Sequence, residues 1–208
     1  MEDVLAVYTR PYDPRAPQVC MDEVSKQLLS EKRPALPMEP DHPERQDYEY
    51  ERHGVCNIFL ACEPLAGKRY TKVTTQRTKV DWALFIREVV DVHYPEAEKI
   101  VLVLDNLNTH TPAALYEVFP PAEARRLMEK LELHYTPKHG SWLNMAEIEL
   151  SALSQHPLSQ RIGDQVELQR QVEIWQQRRN QKAVTVDWRF TTEDARIKLK
   201  HLYPSIEP

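Results

Sequence analysis

The apolar positions along the chain divide it into short strands and helices with one buried face. Two runs, 55–62 and 100–104, are apolar almost throughout, as expected of strands that are covered on both sides. Pro64 and Gly67 follow the first run and predict a hairpin turn. The five predicted strands are 18–22, 55–62, 69–75, 100–104 and 133–136.

Between the predicted strands, apolar residues recur at the spacing of a helix. From Trp82 to His93 these residues recur at i, i+3 and i+4, which is typical of a helix with one buried face. Thr78 and Asp81 carry the chemistry of a capping box at its start, and Pro95 ends it. Further helices are predicted from Pro112, from Pro121 to Leu131, from about Asn144, and over 164–180. The last helix is expected to bury Val166, Leu168, Val172 and Trp175.

The order of these elements predicts one main domain. A hairpin comes first and a strand–helix–strand crossover follows, which indicates a mixed five-stranded sheet covered by helices, an α/β fold. Residues 1–17 are interpreted as a short lead-in segment, and residues 18–208 as the domain itself. Residues 34–47 contain four prolines among charged residues and predict a long surface loop.

Composition restricts the class of protein. Hydrophobic residues make up 41% and charged residues 28% of the 208 positions, which is typical of a globular protein. We expect no membrane span and no signal peptide, because long apolar stretches and a basic, apolar leader are missing. Cys20, Cys56 and Cys62 form no Cys-x-x-Cys pair, so reduced, buried thiols in a cytoplasmic protein are expected.

Charge leaves the question of nucleic-acid binding open. The net charge of −5 argues against avid, nonspecific binding, which requires clustered Lys and Arg. The stretch 68–79 is nevertheless locally basic, and it could line a DNA groove. A solvated hairpin edge protected by Lys and Arg is an equally good interpretation.

Three acids occupy comparable places and form the candidate site. Asp22 is predicted to end the first strand, Asp105 follows the strand 100–104, and Glu147 lies in the first turn of a helix. Each also has an ordinary interpretation: a strand-end acid, an Asx turn into Asn106, and a capping box in which Asn144 is the N-cap. Spacing alone does not decide between these interpretations.

Metal binding is the functional alternative for the three acids. Carboxylates brought together repel one another, so such a set would be costly without a cation. Mg²⁺ or Mn²⁺ takes oxygen ligands, and a pair of such ions can serve both the attacking and the leaving oxygen in phosphoryl transfer. Glu149 is a fallback ligand, but it points about 200° around the helix from Glu147.

The residues around these acids carry a family resemblance. The chain resembles the catalytic core of bacterial insertion-sequence transposases of the mariner-related DDE superfamily. The motifs are Val19-Cys-Met-Asp22-Glu-Val-Ser, Tyr48-Glu-Tyr-Glu-Arg-His-Gly, Leu102-Val-Leu-Asp105-Asn-Leu-Asn-Thr-His110 and Pro137-Lys-His-Gly-Ser-Trp-Leu-Asn-Met-Ala-Glu147. The resemblance implies an RNase H-like fold, and two Mg²⁺ or Mn²⁺ ions held by Asp22, Asp105 and Glu147.

The resemblance also implies an activity and partners. The expected activity is metal-dependent cleavage at transposon ends and joining to target DNA, by a homodimer in the bacterial cytoplasm at the nucleoid. Such transposases usually carry N-terminal helix-turn-helix modules, so we expect a partner or an upstream segment to recognise the DNA ends. The candidate DNA contacts are Lys68, Arg69, Lys72, Lys138 and His139.

Several alternatives remain at this point. The chain could be a non-catalytic remnant that regulates a transposase, or an RNase H-like nuclease that hydrolyses DNA without joining it. His110 could contact DNA or a metal-bound water, although a local hydrogen bond is the simpler expectation. Trp142 could stack on a base, although a place in the core is slightly favoured.

Overall fold

The sheet of the protein is mixed and has five strands. The structure is a computed structural model, and it describes residues 1–33, 49–138 and 140–203. The strands are β1 (Gln18–Glu31), β2 (Tyr50–Glu63), β3 (Lys68–Thr74), β4 (Ile100–Leu104) and β5 (Leu131–Tyr135). Their order in the sheet is β3-β2-β1-β4-β5. β1 pairs antiparallel with β2 and parallel with β4, so the predicted mixed sheet is confirmed.

β1 is much longer than the sequence predicted. It runs for 14 residues through Asp22, whereas the prediction ended it there. Beyond Asp22 the positions of the strand are partly buried or exposed, apart from the buried Leu28. Most of its side chains there are polar, so the sequence shows no apolar run that would predict a strand. β1 pairs with β4 only from Gln18 to Cys20, so Asp22 lies where the parallel neighbour leaves, not where the strand ends.

Seven α-helices cover the sheet in the described part of the chain. They are α1 (Glu2–Tyr8), α2 (Lys79–Glu88), α3 (Pro112–Val118), α4 (Pro121–Lys130), α5 (Ala146–Gln155), α6 (Gln165–Gln181) and α7 (Thr192–Lys198). Alternating side chains of the strands divide the core in two, as the pleat of a sheet requires. One core holds α1, α5, α6 and α7, and the other holds α2, α3 and α4.

The helix starts follow local sequence chemistry. The predicted capping box at α2 is present, since the Thr78 side chain accepts from the Asp81 backbone and Asp81 accepts from the Thr78 backbone. α2 continues into one turn of π-helix, Val89–His93. α6 begins at the cap Asp164 and buries three of the four predicted residues. Val166 is the error: it is exposed, because it lies two positions from Leu168 and therefore on the opposite side of the helix.

The first 17 residues contribute to the core. Val4, Leu5 and Val7 of α1 are buried against the sheet. Tyr8 donates a hydrogen bond of 2.6 Å to the carbonyl of Leu143, directly before α5. The predicted loop 34–47 lies outside the described residues.

Two further expectations concern the class of protein. Within the described ranges no helix is long and apolar enough to cross a membrane. The three cysteines are all described, and each is buried with a free thiol.

Candidate active site

Asp22 and Asp105 meet at one edge of the sheet. Asp22 stands two positions beyond the last β1–β4 pair, Cys20 with Val103. Asp105 directly follows Leu104, the last residue of β4. Because β1 and β4 are parallel neighbours, both acids lie at the carboxyl end of that pair. Asp22 is also held from the other side, where it pairs in register with Leu60 of β2.

Asn144 ties the start of α5 to this edge. Its Nδ2 donates to the carbonyl of Met21 at 2.8 Å and lies 3.4 Å from Asp22 Oδ2. Its Oδ1 accepts from the backbone of Ala146 at 3.2 Å. The predicted capping box between Asn144 and Glu147 is wrong: the N-cap is Met145 and no side chain caps the helix. The Asn144 side chain bonds to β1 and to the backbone of Ala146. Glu147 is exposed at the helix start.

The negative charges of Asp105 and Glu147 both act on Asp22. Burial raises the pKa of Asp22 to about 7, and the negative charges of Asp105, Glu23 and Glu147 add to the rise against a hydrogen bond from the Glu23 backbone. The described residues nevertheless contain no group of three His, Cys, Asp or Glu side chains close enough together to hold a metal ion. The carboxylates are therefore near enough to repel one another but are not gathered into a finished coordination shell. We call Asp22, Asp105 and Glu147 the acid edge.

Asp105 is paired with a buried histidine. His110 Nδ1 lies 2.5 Å from Asp105 Oδ1, and His110 Nε2 lies 3.1 Å from Glu23 Oε2. Burial lowers the pKa of His110, but the two carboxylates outweigh it and raise the pKa to about 9. The local hydrogen bond expected for His110 is thus present, and its partner is a candidate metal ligand.

Arg69 does not contact solvent, which corrects its assignment as a DNA contact. Its side chain is 0% exposed and lies 2.7 Å from Glu149 Oε1. It also donates to the carbonyl of Val184. Arg179 reaches Glu149 from α6, with Nε 2.7 Å from Oε2. Glu149 is therefore the anion of a buried ion-pair cluster (Arg69, Glu149 and Arg179), and it is not a fallback ligand.

The other predicted DNA contacts are at the surface or outside the description. Lys68 and Lys138 are exposed. Lys72 is half-buried, with Nζ 2.5 Å from Glu88 Oε2. His139 lies outside the described residues.

Trp142 is not a core residue. Its side chain is half-exposed, in edge contact with Phe190 at 5.8 Å between ring centroids. The expectation of a place in the core is corrected, because Leu143 is the buried residue of this short 3-10 turn.

Three residues of the site were not singled out from the sequence for the roles they have here. They are Glu23, Asn144 and Arg179. Glu23 directly follows Asp22, and Asn144 stands three residues before Glu147, so proximity to the predicted ligands was the available signal. Arg179 had no such signal, because its partner is 30 residues away in the chain.

Comparison with known proteins identifies the family. The family described as DDE superfamily endonuclease matches residues 17–169, a range that contains all three acids of the acid edge. The chain belongs to this family. No curated protein sequence matches this chain.

Solved structures agree with the fold of this DDE superfamily chain. It matches the Mos1 transposase paired-end complex with left transposon end at a TM-score of 0.56 and 15% identity, over 87% of this chain and 58% of that one. It matches the Mos1 strand transfer complex equally well, at a TM-score of 0.56 and 15% identity, over 87% and 57%. The RNase H-like fold is thereby confirmed. The chain spans less than two thirds of the length of either Mos1 chain.

Proposed function

We propose that this chain is the catalytic domain of a DNA transposase, which cleaves DNA at transposon ends and joins the freed end to target DNA. The acid edge carries the proposal. Asp22 and Asp105 lie just beyond the last parallel pair of β1 and β4, and the charges of Asp105 and Glu147 both act on Asp22. Family membership supports an endonuclease, and the two Mos1 complexes support DNA as the partner.

The acid edge fits a divalent cation. Its donors are carboxylate oxygens, which Mg²⁺ and Mn²⁺ prefer. Among the described residues no Lys or Arg pairs with Asp22, Asp105 or Glu147, and the partner of Asp105 is His110. We propose that these three residues hold two Mg²⁺ or Mn²⁺ ions. Bound there, the ions would supply Lewis-acid activation of the attacking oxygen and stabilisation of the leaving one.

The residues of the chain set up the geometry for this reaction. Asn144 fixes the first turn of α5 against β1, and His110 holds one oxygen of Asp105. In the proposed reaction water attacks a phosphodiester at the transposon end and frees a 3′-hydroxyl, which then attacks the target strand. Neither step needs a covalent intermediate with the protein. Lys68 and Lys138 are exposed and are the proposed contacts with DNA phosphates.

The share of the Mos1 chain that this chain covers bears on how the DNA ends would be recognised. The chain covers about three fifths of the Mos1 chain, so we propose that another segment or a helix-turn-helix partner recognises the DNA ends. We further propose a homodimer in the DNA complex, acting at the bacterial nucleoid.

Loss of metal-dependent cleavage in single variants tests the proposal. Supercoiled plasmid DNA carrying the element's terminal repeats would be incubated with the protein and Mn²⁺, and nicked product measured. We expect Asp105→Asn and Glu147→Gln each to lower the rate about 10³-fold or more, because each removes a ligand charge. The matched controls are Asp187→Asn and Glu129→Gln, which alter exposed ion pairs and should cleave like the parent. If Asp105→Asn or Glu147→Gln cleaves as fast as the parent, the assignment is wrong.

Product analysis separates this function from the two alternatives. A duplex labelled at the 5′-end of the transposon-end strand, whose 3′-hydroxyl stays free, should yield label covalently joined to the target DNA. Cleaved but unjoined product would indicate a nuclease without strand transfer. A parent protein that shows no heat of Mn²⁺ binding by calorimetry would indicate a non-catalytic regulator.

A further inference from the structure

We propose that His110 and Glu23 are a positioning pair for Asp105. In this arrangement the imidazole bridges the two acids and holds Oδ1 of Asp105, which leaves Oδ2 as the ligand oxygen. The inference rests on the proposed function and assigns two residues that support the metal site without being ligands themselves. Residues that donate or accept hydrogen bonds to the ligands of a metal site commonly fix the orientation of those ligands and the affinity for the metal.

The bridge is short, and it is buried on the Glu23 side. His110 lies 2.5 Å from Asp105 Oδ1 and 3.1 Å from Glu23 Oε2, with side-chain exposures of 1% for His110 and 2% for Glu23. The backbone turn between them is closed by a hydrogen bond of 3.0 Å from His110 N to the Leu107 carbonyl. Nδ1 of this buried ring is hydrogen-bonded to Asp105, and its other nitrogen lies against Glu23, so the ring has little freedom to rotate and the Asp105 carboxylate is held in one orientation.

Packing fixes the imidazole from other directions. The indole of Trp82 stacks on it, with ring centroids 5.7 Å apart and planes 26° from parallel. Tyr135 donates a hydrogen bond of 3.0 Å to the His110 carbonyl. Trp82 belongs to α2 and Tyr135 to β5. The first packs on the imidazole ring and the second holds the backbone of the same residue.

Glu23 faces away from the acid edge, although it adjoins Asp22. Successive side chains of a strand point to opposite faces of the sheet. Met21 packs in the core of α2, α3 and α4, so Glu23 shares that face, whereas α5 lies on the other. Glu23 also lies near Arg77, with Nη1 3.9 Å from Oε1. Glu23 is thus placed to anchor His110 rather than to bind the metal.

The contact with His110 Nδ1 occupies Oδ1 of Asp105, so Oδ2 is the oxygen that Asp105 can offer to a cation.

A second histidine bridge provides the matched control. His134 also joins two acids, with Nδ1 2.8 Å from Asp3 Oδ2 and Nε2 2.9 Å from Glu132 Oε1. Its partners are 64% and 41% exposed, and neither belongs to the acid edge. Replacement of His134 therefore removes a similar bridge without touching a candidate ligand.

Mn²⁺ affinity measured on folded protein tests the pair. Free Mn²⁺ would be followed by electron paramagnetic resonance while the parent, His110→Ala, His110→Asn, Glu23→Gln and His134→Gln are titrated. We expect His110→Ala to bind Mn²⁺ about 10- to 100-fold more weakly. His110→Asn keeps a donor near Asp105 and should lose less. Glu23→Gln should also weaken Mn²⁺ binding, and it tests the pair even if His110→Ala fails to fold. The control His134→Gln should bind Mn²⁺ like the parent.

The outcomes distinguish this inference from the proposed function. If Asp105→Asn abolishes Mn²⁺ binding while the His110 and Glu23 variants bind like the parent, the positioning pair is refuted and the function stands. A loss in Glu23→Gln as large as that in Asp105→Asn would make Glu23 a ligand, which also refutes the pair. A parent without Asp105-dependent Mn²⁺ binding refutes both.

Discussion

Two groups of carboxylates, whose glutamates lie two positions apart in α5, are treated in opposite ways by this protein. In the buried ion-pair cluster, Glu149 is enclosed and held by Arg69 and Arg179. At the acid edge, Glu147 is exposed and no Lys or Arg among the described residues pairs with it. The two glutamates are separated by a single residue in α5. The difference separates a structural acid, buried with two arginines, from acids that have no arginine partner and that we propose as ligands of a cation.

The pKa values change in opposite directions in the two groups. Burial would raise the pKa of Glu149, but hydrogen bonds from Arg69 and Arg179 hold it below its usual value. Burial raises the pKa of Asp22, and neighbouring acids raise it further. The fold is thus stabilised by the charge on Glu149 and destabilised by the charge on Asp22.

The largest expected effect is on folding, from the loss of the Glu149 charge. Glu149→Gln leaves two arginines without their buried anion, and we expect a loss of about 3–5 kcal/mol in the free energy of unfolding. Urea denaturation followed by circular dichroism would measure it. Glu147→Gln is the matched variant in the same helix and should change stability by less than about 0.5 kcal/mol, as surface substitutions do. Equal losses in both variants would remove the distinction between the two acids.

The second effect is the pH dependence caused by Asp22. Its folded pKa of about 7 lies above the ordinary value of 3.8, so the folded state binds the proton more tightly than the unfolded state. The stabilisation is complete below about pH 4 and is lost as the pH rises to about 7, an effect on the order of 2–4 kcal/mol. Asp22→Asn should remove this decline when unfolding is measured in chelator across that range. A variant with the same pH profile as the parent would contradict the assignment of the decline to Asp22.

The smallest effect should come from the geometry of one arginine. Arg179 donates a hydrogen bond of 2.8 Å from Nη2 to Glu149 Oε1, and its Nε lies 2.7 Å from Oε2. Arg179→Lys keeps the charge but loses the guanidinium hydrogen bond, and we expect a loss of about 1–2 kcal/mol in the free energy of unfolding. Mn²⁺ affinity should stay at the parent value. A weaker Mn²⁺ site in this variant would show that the two groups of carboxylates are coupled.

Local patterns account for the parts of the fold that the sequence predicted well. β4 has the predicted bounds because five apolar residues in a row require cover on both faces. Pro112 and Pro121 open α3 and α4 because proline suits the first helical turn. The three acids could be singled out as candidate ligands because the motifs around them are visible in a single sequence, and their role as ligands stays a prediction.

Contacts between distant residues explain what the sequence did not show. Arg69 and Glu149 are 80 residues apart, and nothing near Arg69 distinguishes it from the exposed lysines around it. Asn144 had the features of a helix cap, but its side chain bonds to Met21, 123 residues away. The length of β1 was missed because its pairing with β2, not its own hydrophobicity, sustains it beyond Asp22.

The continuity of β1 through Asp22 also determines which part of the site can adjust. Asp22 and Glu23 pair with Leu60 and Phe59 in the middle of a long antiparallel ladder, whose amide hydrogens we expect to exchange slowly with solvent. Asp105 stands at the start of a loop, where we expect backbone amides to open more readily. Asp22 is therefore the part of the site that we expect to move least.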